Sequence, residues 1–201
     1  MDIVLRGLQW EKCLCYLDDV IVFGSSFEVA LENLKAVFER YRQANLKIKS
    51  SKCALFQTEV SFLGHIVNES GIKCDPTKVQ KVQEWPVPSN VTELKQILGL
   101  VRYYRRFIPD CSTITAPLTK LLKKNTKFVW DSNCQNAFET LKQRLVTAPI
   151  LSYPKYDEGT FILDTDASLY GIGCVLSQMQ QNEEHVIAYG SKTLSKSQRR
   201  Y

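Results

Sequence analysis

Cys15-Tyr16-Leu17-Asp18-Asp19-Val20-Ile21-Val22-Phe23-Gly24 sets two adjacent aspartates among apolar, strand-forming residues. Runs of this kind on either side of a polar pair predict two strands joined by a tight hairpin. Carboxylates on a hairpin tip are exposed hard-oxygen donors on a stiff support, the kind of ligand a divalent cation such as Mg²⁺ takes. A solvated Asp-Asp turn is the plainer reading of such a pair taken alone. A phosphate-accepting aspartate at a strand end is a third, but no glycine-rich loop or alternating βα pattern follows.

Outward from this stretch the composition is that of an ordinary folded chain. The 201 residues are 44% apolar and 23% charged, which leaves room for one or two small domains. No apolar run approaches the roughly 18 residues of a membrane helix, so no membrane partner is expected. Seven cysteines, at 13, 15, 53, 74, 111, 134 and 174, form no CxxC pair, and His65 and His185 are the only histidines. Reduced thiols and an intracellular chain are the expectation, not a disulfide frame or a zinc site. The net charge of +5 is unevenly spread. Ten basic residues face three acidic ones between 76 and 127, while 1–75 carries nine against ten. A basic block beside paired carboxylates points to a polyanion held next to a metal.

The chain around the hairpin reads as mixed α and β. Met1–Leu8 predicts the tail of a helix and Lys12–Tyr16 the first strand. Ser25 with Glu28 predicts a capped helix whose stripe Phe27, Leu31, Leu34, Phe38 and Tyr41 faces a core. Leu46–Lys49 alternates like a strand, and Val60–Val67 with Ile72–Cys74 predicts a second hairpin. Asp75-Pro76 starts a helix that stops at Trp85-Pro86-Val87-Pro88. The next helix opens at Asn90 and turns Leu94, Ile97, Leu98 and Val101 inward. Its remaining face mixes Lys95, Arg102, Arg105 and Arg106 with Tyr103, Tyr104 and Phe107. Cations among aromatics suit phosphates, sugars and bases, although a solvated basic face has the same composition. Further helices are predicted over 114–124 and after a cap at Asp131 or Ser132. Thr147-Ala148-Pro149, Pro154 and Asp157-Glu158-Gly159 then make a linker-like stretch, with a domain boundary expected near 150–158. Beyond it come strands at Thr160–Asp166 and Ile172–Gln178, joined by Ser168-Leu169-Tyr170-Gly171 with the Gly171-Ile172-Gly173 pair turning the hairpin, then a strand at His185–Tyr189 after a turn at Glu183-Glu184.

Taken in order, these blocks resemble the Pol polyprotein of gypsy-type LTR retrotransposons. Tyr16-Leu17-Asp18-Asp19 is similar to the YxDD box of reverse transcriptases. It is followed by Phe62-Leu63-Gly64-His65, Trp85-Pro86-Val87-Pro88, Leu98-Gly99-Leu100 with Arg102-Tyr103-Tyr104, Ala148-Pro149-Ile150-Leu151 and Asp164-Thr165-Asp166-Ala167-Ser168. The resemblance implies an α+β chain. Residues 1–75 would be the C-terminal half of a polymerase palm and 76–150 a helical thumb and connection. Residues 151–201 would be the first three strands of an RNase H-like domain.

By the same resemblance Asp18, Asp19 and Asp166 would be catalytic carboxylates that bind Mg²⁺ or Mn²⁺. Asp164, on the same strand face, would be structural. Tyr16, Gly64, His65, Lys95, Arg102, Arg105 and Arg106 would contact primer and template. The implied partners are an RNA/DNA primer–template duplex, deoxynucleotides and the remainder of the Pol polyprotein. The implied location is the cytoplasm, the nucleus or the particles of the element. Two-metal nucleotidyl transfer and RNA hydrolysis each need further carboxylates. The resemblance puts these upstream of the YLDD box and beyond Tyr201, so the complete enzyme is expected to be longer than this chain. A catalytically inert remnant, or a nucleic-acid-binding module working through 76–127, is the alternative.

Overall fold

In a computed structural model that describes residues 1–157, 159–195 and 197–200, the chain forms two compact units, Met1–Leu63 and Gly64–Tyr201. The sequence boundaries at 75 and 150 therefore both fall within the second unit. Glu158 of the linker-like stretch, and Tyr201, lie outside the described residues.

The first unit is organised by the hairpin of β1 (Cys13–Tyr16) and β2 (Asp19–Val22), paired from Cys13 opposite Val22 to Tyr16 opposite Asp19. Helix α1 (Phe27–Gln43) follows, with Ser26 as its cap accepting from Val29 N, rather than Ser25. Gly24 permits this close return, since a Cβ there would lie 2.4 Å from Ala30 N. Leu5, Leu8, Cys13 and Val37 form the buried cluster. Met1–Leu8 is a series of turns, not a helix, yet Leu5 and Leu8 still reach that core.

The predicted stripe on α1 is rotated. Asn33 and Val37 are its buried residues, while Phe27 and Phe38 are exposed. The Asn33 amide donates to Phe23 O at 2.8 Å, and this partly buried bond fixes the face that α1 presents. Leu46–Lys49 is irregular chain rather than a strand. All four of its side chains are exposed, so alternation there buries no face. Strand β3 (Glu59–Phe62) completes the unit.

The expected single strand Val60–Val67 is interrupted at Leu63 and Gly64, whose φ angles are 49° and 70°. No strand continues through two left-handed residues. The second unit therefore begins with its own hairpin, β4 (His65–Asn68) paired with β5 (Gly71–Cys74). Helix α2 (Pro76–Gln83) starts as expected, with Asp75 accepting from Thr77 N and proline in the first turn. Helix α3 (Val91–Tyr103) is closed by a capping box: Glu93 N donates to Asn90 Oδ1 at 3.0 Å, and Ser89 N to Glu93 Oε2 at 2.7 Å.

Helix α4 spans Cys111–Lys120, earlier than the predicted 114–124, because Asp110 at φ 51° turns the chain directly into it. Helix α5 (Ser132–Val146) is capped by Asp131, which accepts from Cys134 N at 2.8 Å. Leu94, Leu98, Val101, Leu118, Leu141 and Leu145 build the core shared by these helices.

An antiparallel sheet of β6 (Phe161–Ala167), β7 (Gly171–Gln180) and β8 (Glu183–Thr193) ends the unit. The first turn is the expected Ser168–Gly171 join, without the part assigned to Ile172 and Gly173, and the second turn is shifted. Ser168 Oγ accepts from both Tyr170 N and Gly171 N, so the first turn precedes Gly171, and both Gly171 and Gly173 lie in β7. The second turn is Gln181-Asn182, at φ 52° and 66°, which leaves Glu183 and Glu184 in β8. Helix α4 rests on β8: Ser112 N donates to Ser191 Oγ at 2.9 Å, and Thr193 Oγ1 to Ser112 O at 3.3 Å.

Candidate nucleic-acid interface

In the first unit the connection between β1 and β2 is Leu17-Asp18, with Leu17 at φ 54°. Asp18 thus stands on the tip, and Asp19 opens β2 opposite Tyr16. Both carboxylates and the Tyr16 ring are exposed. An apolar notch of about 170 Å³ lies beside Tyr16, lined also by Trp10, Leu14, Phe62 and Leu63 among others. Burial raises the thiols of Cys13 and Cys15 above the usual range, so these strand residues are neutral support and not reactive groups. No group of three or more His, Cys, Asp or Glu side chains among the described residues is arranged to hold a metal ion. The donor set here is two carboxylates, which is incomplete as a metal site.

In the second unit the start of β4 is built into the core. The Tyr104 hydroxyl donates to Gly64 O at 2.6 Å. A side chain on Gly64 would be strained at its φ of 70° and would put Cβ 3.2 Å from that hydroxyl. His65 is half-buried, with ring centroids 5.2 Å from Tyr103, 5.4 Å from Tyr104 and 5.6 Å from Phe107. Tyr104 and Phe107 are 1% and 0% exposed, so two of the three aromatics read as an outer surface are core.

The outer face of α3 is what remains. Lys95, Gln96, Gly99, Arg102 and Tyr103 are all exposed. Their spacing of three and four residues puts them on one surface. A Cβ on Gly99 would meet nothing within 4 Å, so bare backbone lies open in the middle of two cations and an aromatic ring. Gly99 stands in the Leu98-Gly99-Leu100 block, which by itself gives it no role at the site. Its signal was a glycine in mid-helix, which costs about 1 kcal/mol relative to alanine and so asks for a reason. Arg105 is exposed just beyond the helix. Arg106 is partly engaged in the fold: its guanidinium donates to Ile187 O at 3.3 Å and lies 5.9 Å from the Phe107 ring centre.

Asp166 lies on β6 opposite Gly173, with Asp164 on the same face. A Cβ on Gly173 would fall 2.6 Å from Asp110 Oδ1, so that glycine leaves room for the Asp110 carboxylate. Asp110, Asp164 and Asp166 thus flank one recess of about 190 Å³, closed on another side by Tyr189. Asp110 was not singled out in sequence. It resembles a helix cap, but its side chain caps nothing in α4.

Comparison with known proteins agrees with this layout. Residues 1–67 match the family described as reverse transcriptase (RNA-dependent DNA polymerase). Residues 130–201 match the RNase H-like domain found in reverse transcriptase. The chain thus joins a stretch similar to reverse transcriptases to one similar to their RNase H-like domain. The second match takes in α5 as well as the sheet β6–β8.

Among curated proteins, the Retrovirus-related Pol polyprotein from transposon 297 of Drosophila melanogaster is 40% identical over the whole chain. The transposon Tf2-3 polyprotein of Schizosaccharomyces pombe is 36% identical over 98% of it. The chain spans 19% and 15% of those two proteins, roughly a fifth or less of their length. Two foamy viral protease-reverse transcriptase structures share its fold. One, in complex with dsDNA, has a TM-score of 0.85 at 24% identity, covering 98% of this chain and 34% of its own. The other, with an RNA/DNA hybrid, has a TM-score of 0.81 at 24% identity and covers 98% and 27%.

Proposed function

We propose that this chain is part of a gypsy-type LTR retrotransposon Pol polyprotein that copies RNA into DNA and hydrolyses the RNA strand inside the cell. Its own share of that work is to hold the primer–template duplex. The observation that carries this reading is the outer face of α3, where Lys95 and Arg102 flank the open backbone at Gly99 and the exposed Tyr103 ring. Cations neutralise phosphates, a ring covers a sugar or base, and a glycine lets a strand approach the helix closely. The foamy viral relatives bound to dsDNA and to an RNA/DNA hybrid support a duplex as the ligand. Gly64 and His65 would present the start of β4 to the primer strand, and Tyr16 would lie beside the primer end.

Asp18 and Asp19, and separately Asp166, would contribute ligands to Mg²⁺ or Mn²⁺ together with carboxylates supplied by the rest of the polyprotein, which would also hold the deoxynucleotide. The divalent ion would stabilise charge on attacking and leaving oxygens. Within this chain the carboxylates are incomplete as metal sites, whereas the α3 surface needs no further residue. Binding without turnover is therefore the reading for the isolated chain.

The test is duplex affinity against salt. Binding should weaken as salt rises, vary little with sequence, and lose about 0.9 from the log–log slope for each phosphate contact removed. Arg105→Gln should show one such decrement. Sequence-dependent binding, or none at low salt, would overturn the proposal.

A further inference from the structure

Residues 151–155, between α5 and β6, form hydrogen bonds on two sides. Toward the β4–β5 hairpin, Ile72 N donates to Leu151 O and Leu151 N to Ile72 O, each at 2.8 Å. The Tyr153 hydroxyl lies 3.1 Å from the carbonyl oxygens of both Asn68 and Gly71, the pair that closes the hairpin turn. Gly71 is required here: at φ 138°, a Cβ would lie 2.2 Å from Leu151 O.

Toward the sheet, Ser152 N donates to Val186 O at 2.9 Å, and Ser152 Oγ lies 3.3 Å from His185 Nδ1. Gln180 Nε2 donates to Tyr153 O at 2.8 Å. Lys155 N donates to Gln178 Oε1 at 2.9 Å, and Gln178 Nε2 returns a bond to Lys155 O at 2.6 Å. Gln178 is 0% exposed, so its amide imitates a neighbouring strand for a segment that has none. A connection that merely spanned the gap would leave its backbone to water. Here the backbone of Leu151, Ser152, Tyr153 and Lys155 is matched by buried or half-buried partners on both sides, and such partners are costly to lose.

We propose that Leu151–Lys155 is a two-sided strap that makes the β4–β5 hairpin and the β6–β8 sheet one mechanical body, with Tyr153 as its positioning residue. A strand held at the hairpin is thereby set in register with the sheet face that bears Asp166. The register rests on the duplex reading above; the strap does not.

Amide hydrogen exchange on the 201-residue chain, without nucleic acid, tests the strap. Tyr153→Phe removes one hydroxyl and keeps the ring. Amides of β4–β5 and of β7–β8 should then exchange about 3- to 10-fold faster together, the range for one lost hydrogen bond, while α5 is unchanged. Gln178→Leu, on the sheet side, should speed the hairpin amides likewise. Acceleration of the hairpin alone, an equal acceleration that includes α5, or no change in Tyr153→Phe would overturn the strap. With duplex added, the wild-type chain should gain protection in hairpin and sheet, and Tyr153→Phe in the hairpin only. Equal gains in both proteins would overturn the register, whereas absent binding would overturn the duplex reading and leave the strap standing.

Discussion

Tyr104 shows how one residue of this chain serves core and site together. Its ring is buried against His65 and Phe107, and its hydroxyl holds the backbone at Gly64. Burial pushes this phenol up to about 12, and the nearby Cys74 thiol also to about 12, from ordinary values of 10.0 and 9.0. Both groups are neutral when protonated, and folding favours that form. Their contribution to stability is complete below pH 9 and is lost as pH rises toward 12. Denaturant titrations across that window should show the midpoint falling. Tyr104→Phe should lower stability by about 1 kcal/mol at neutral pH, through the lost hydrogen bond, yet fall less steeply above pH 10. An unchanged slope would mean that Tyr104 does not titrate with unfolding.

Among the elements, α3 separates stability from function most cleanly. Leu94, Ile97, Leu98 and Val101 hold it in the core, and Asn90 with Glu93 closes its N-terminus. None of this requires Gly99, which weakens the helix and where a Cβ would meet nothing within 4 Å. Gly99→Ala should therefore raise stability by about 0.5–1 kcal/mol in thermal or urea unfolding. The same methyl should weaken duplex binding about fivefold or more, since a misfitted group at a close contact costs at least about 1 kcal/mol. Unchanged affinity in a stabilised Gly99→Ala protein would remove α3 from the interface.

For the molecule as a whole, the two functions it resembles are unequally represented in the 201 residues. The proposed α3 surface lies within one unit, while the carboxylates at 18, 19 and 166 belong to no group of three that could hold a metal ion among the described residues. With Mg²⁺ or Mn²⁺, the isolated chain should bind primer–template and extend no primer. In a complete parent polyprotein Asp18→Asn should reduce extension by orders of magnitude and leave the fold intact. Extension by the isolated chain that Asp18→Asn abolishes would show that the carboxylate set is complete after all.

Features that depend on a few consecutive residues were legible in the sequence: the YLDD hairpin, the Asp75 and Asn90 caps, a cap at Asp131 or Ser132, and the three C-terminal strands. Backbone dihedrals and capping bonds are settled within four or five residues, so the local pattern carries them. Facing directions were not legible in that way. Phe27 and Phe38 share a helical stripe yet are exposed, Tyr104 and Phe107 sit among arginines yet are core, and Leu46–Lys49 alternates yet pairs with nothing. Which side of an element turns inward is decided by its neighbours: the Asn33 bond to Phe23 for α1, and the packing of His65 on the aromatics that follow α3. For the same reason the sequence named Asp18, Asp19 and Asp166 but not Gly99 or Asp110. The first three stand in local motifs, whereas the openness around Gly99 and the placement of Asp110 over Gly173 exist only once distant segments have packed together.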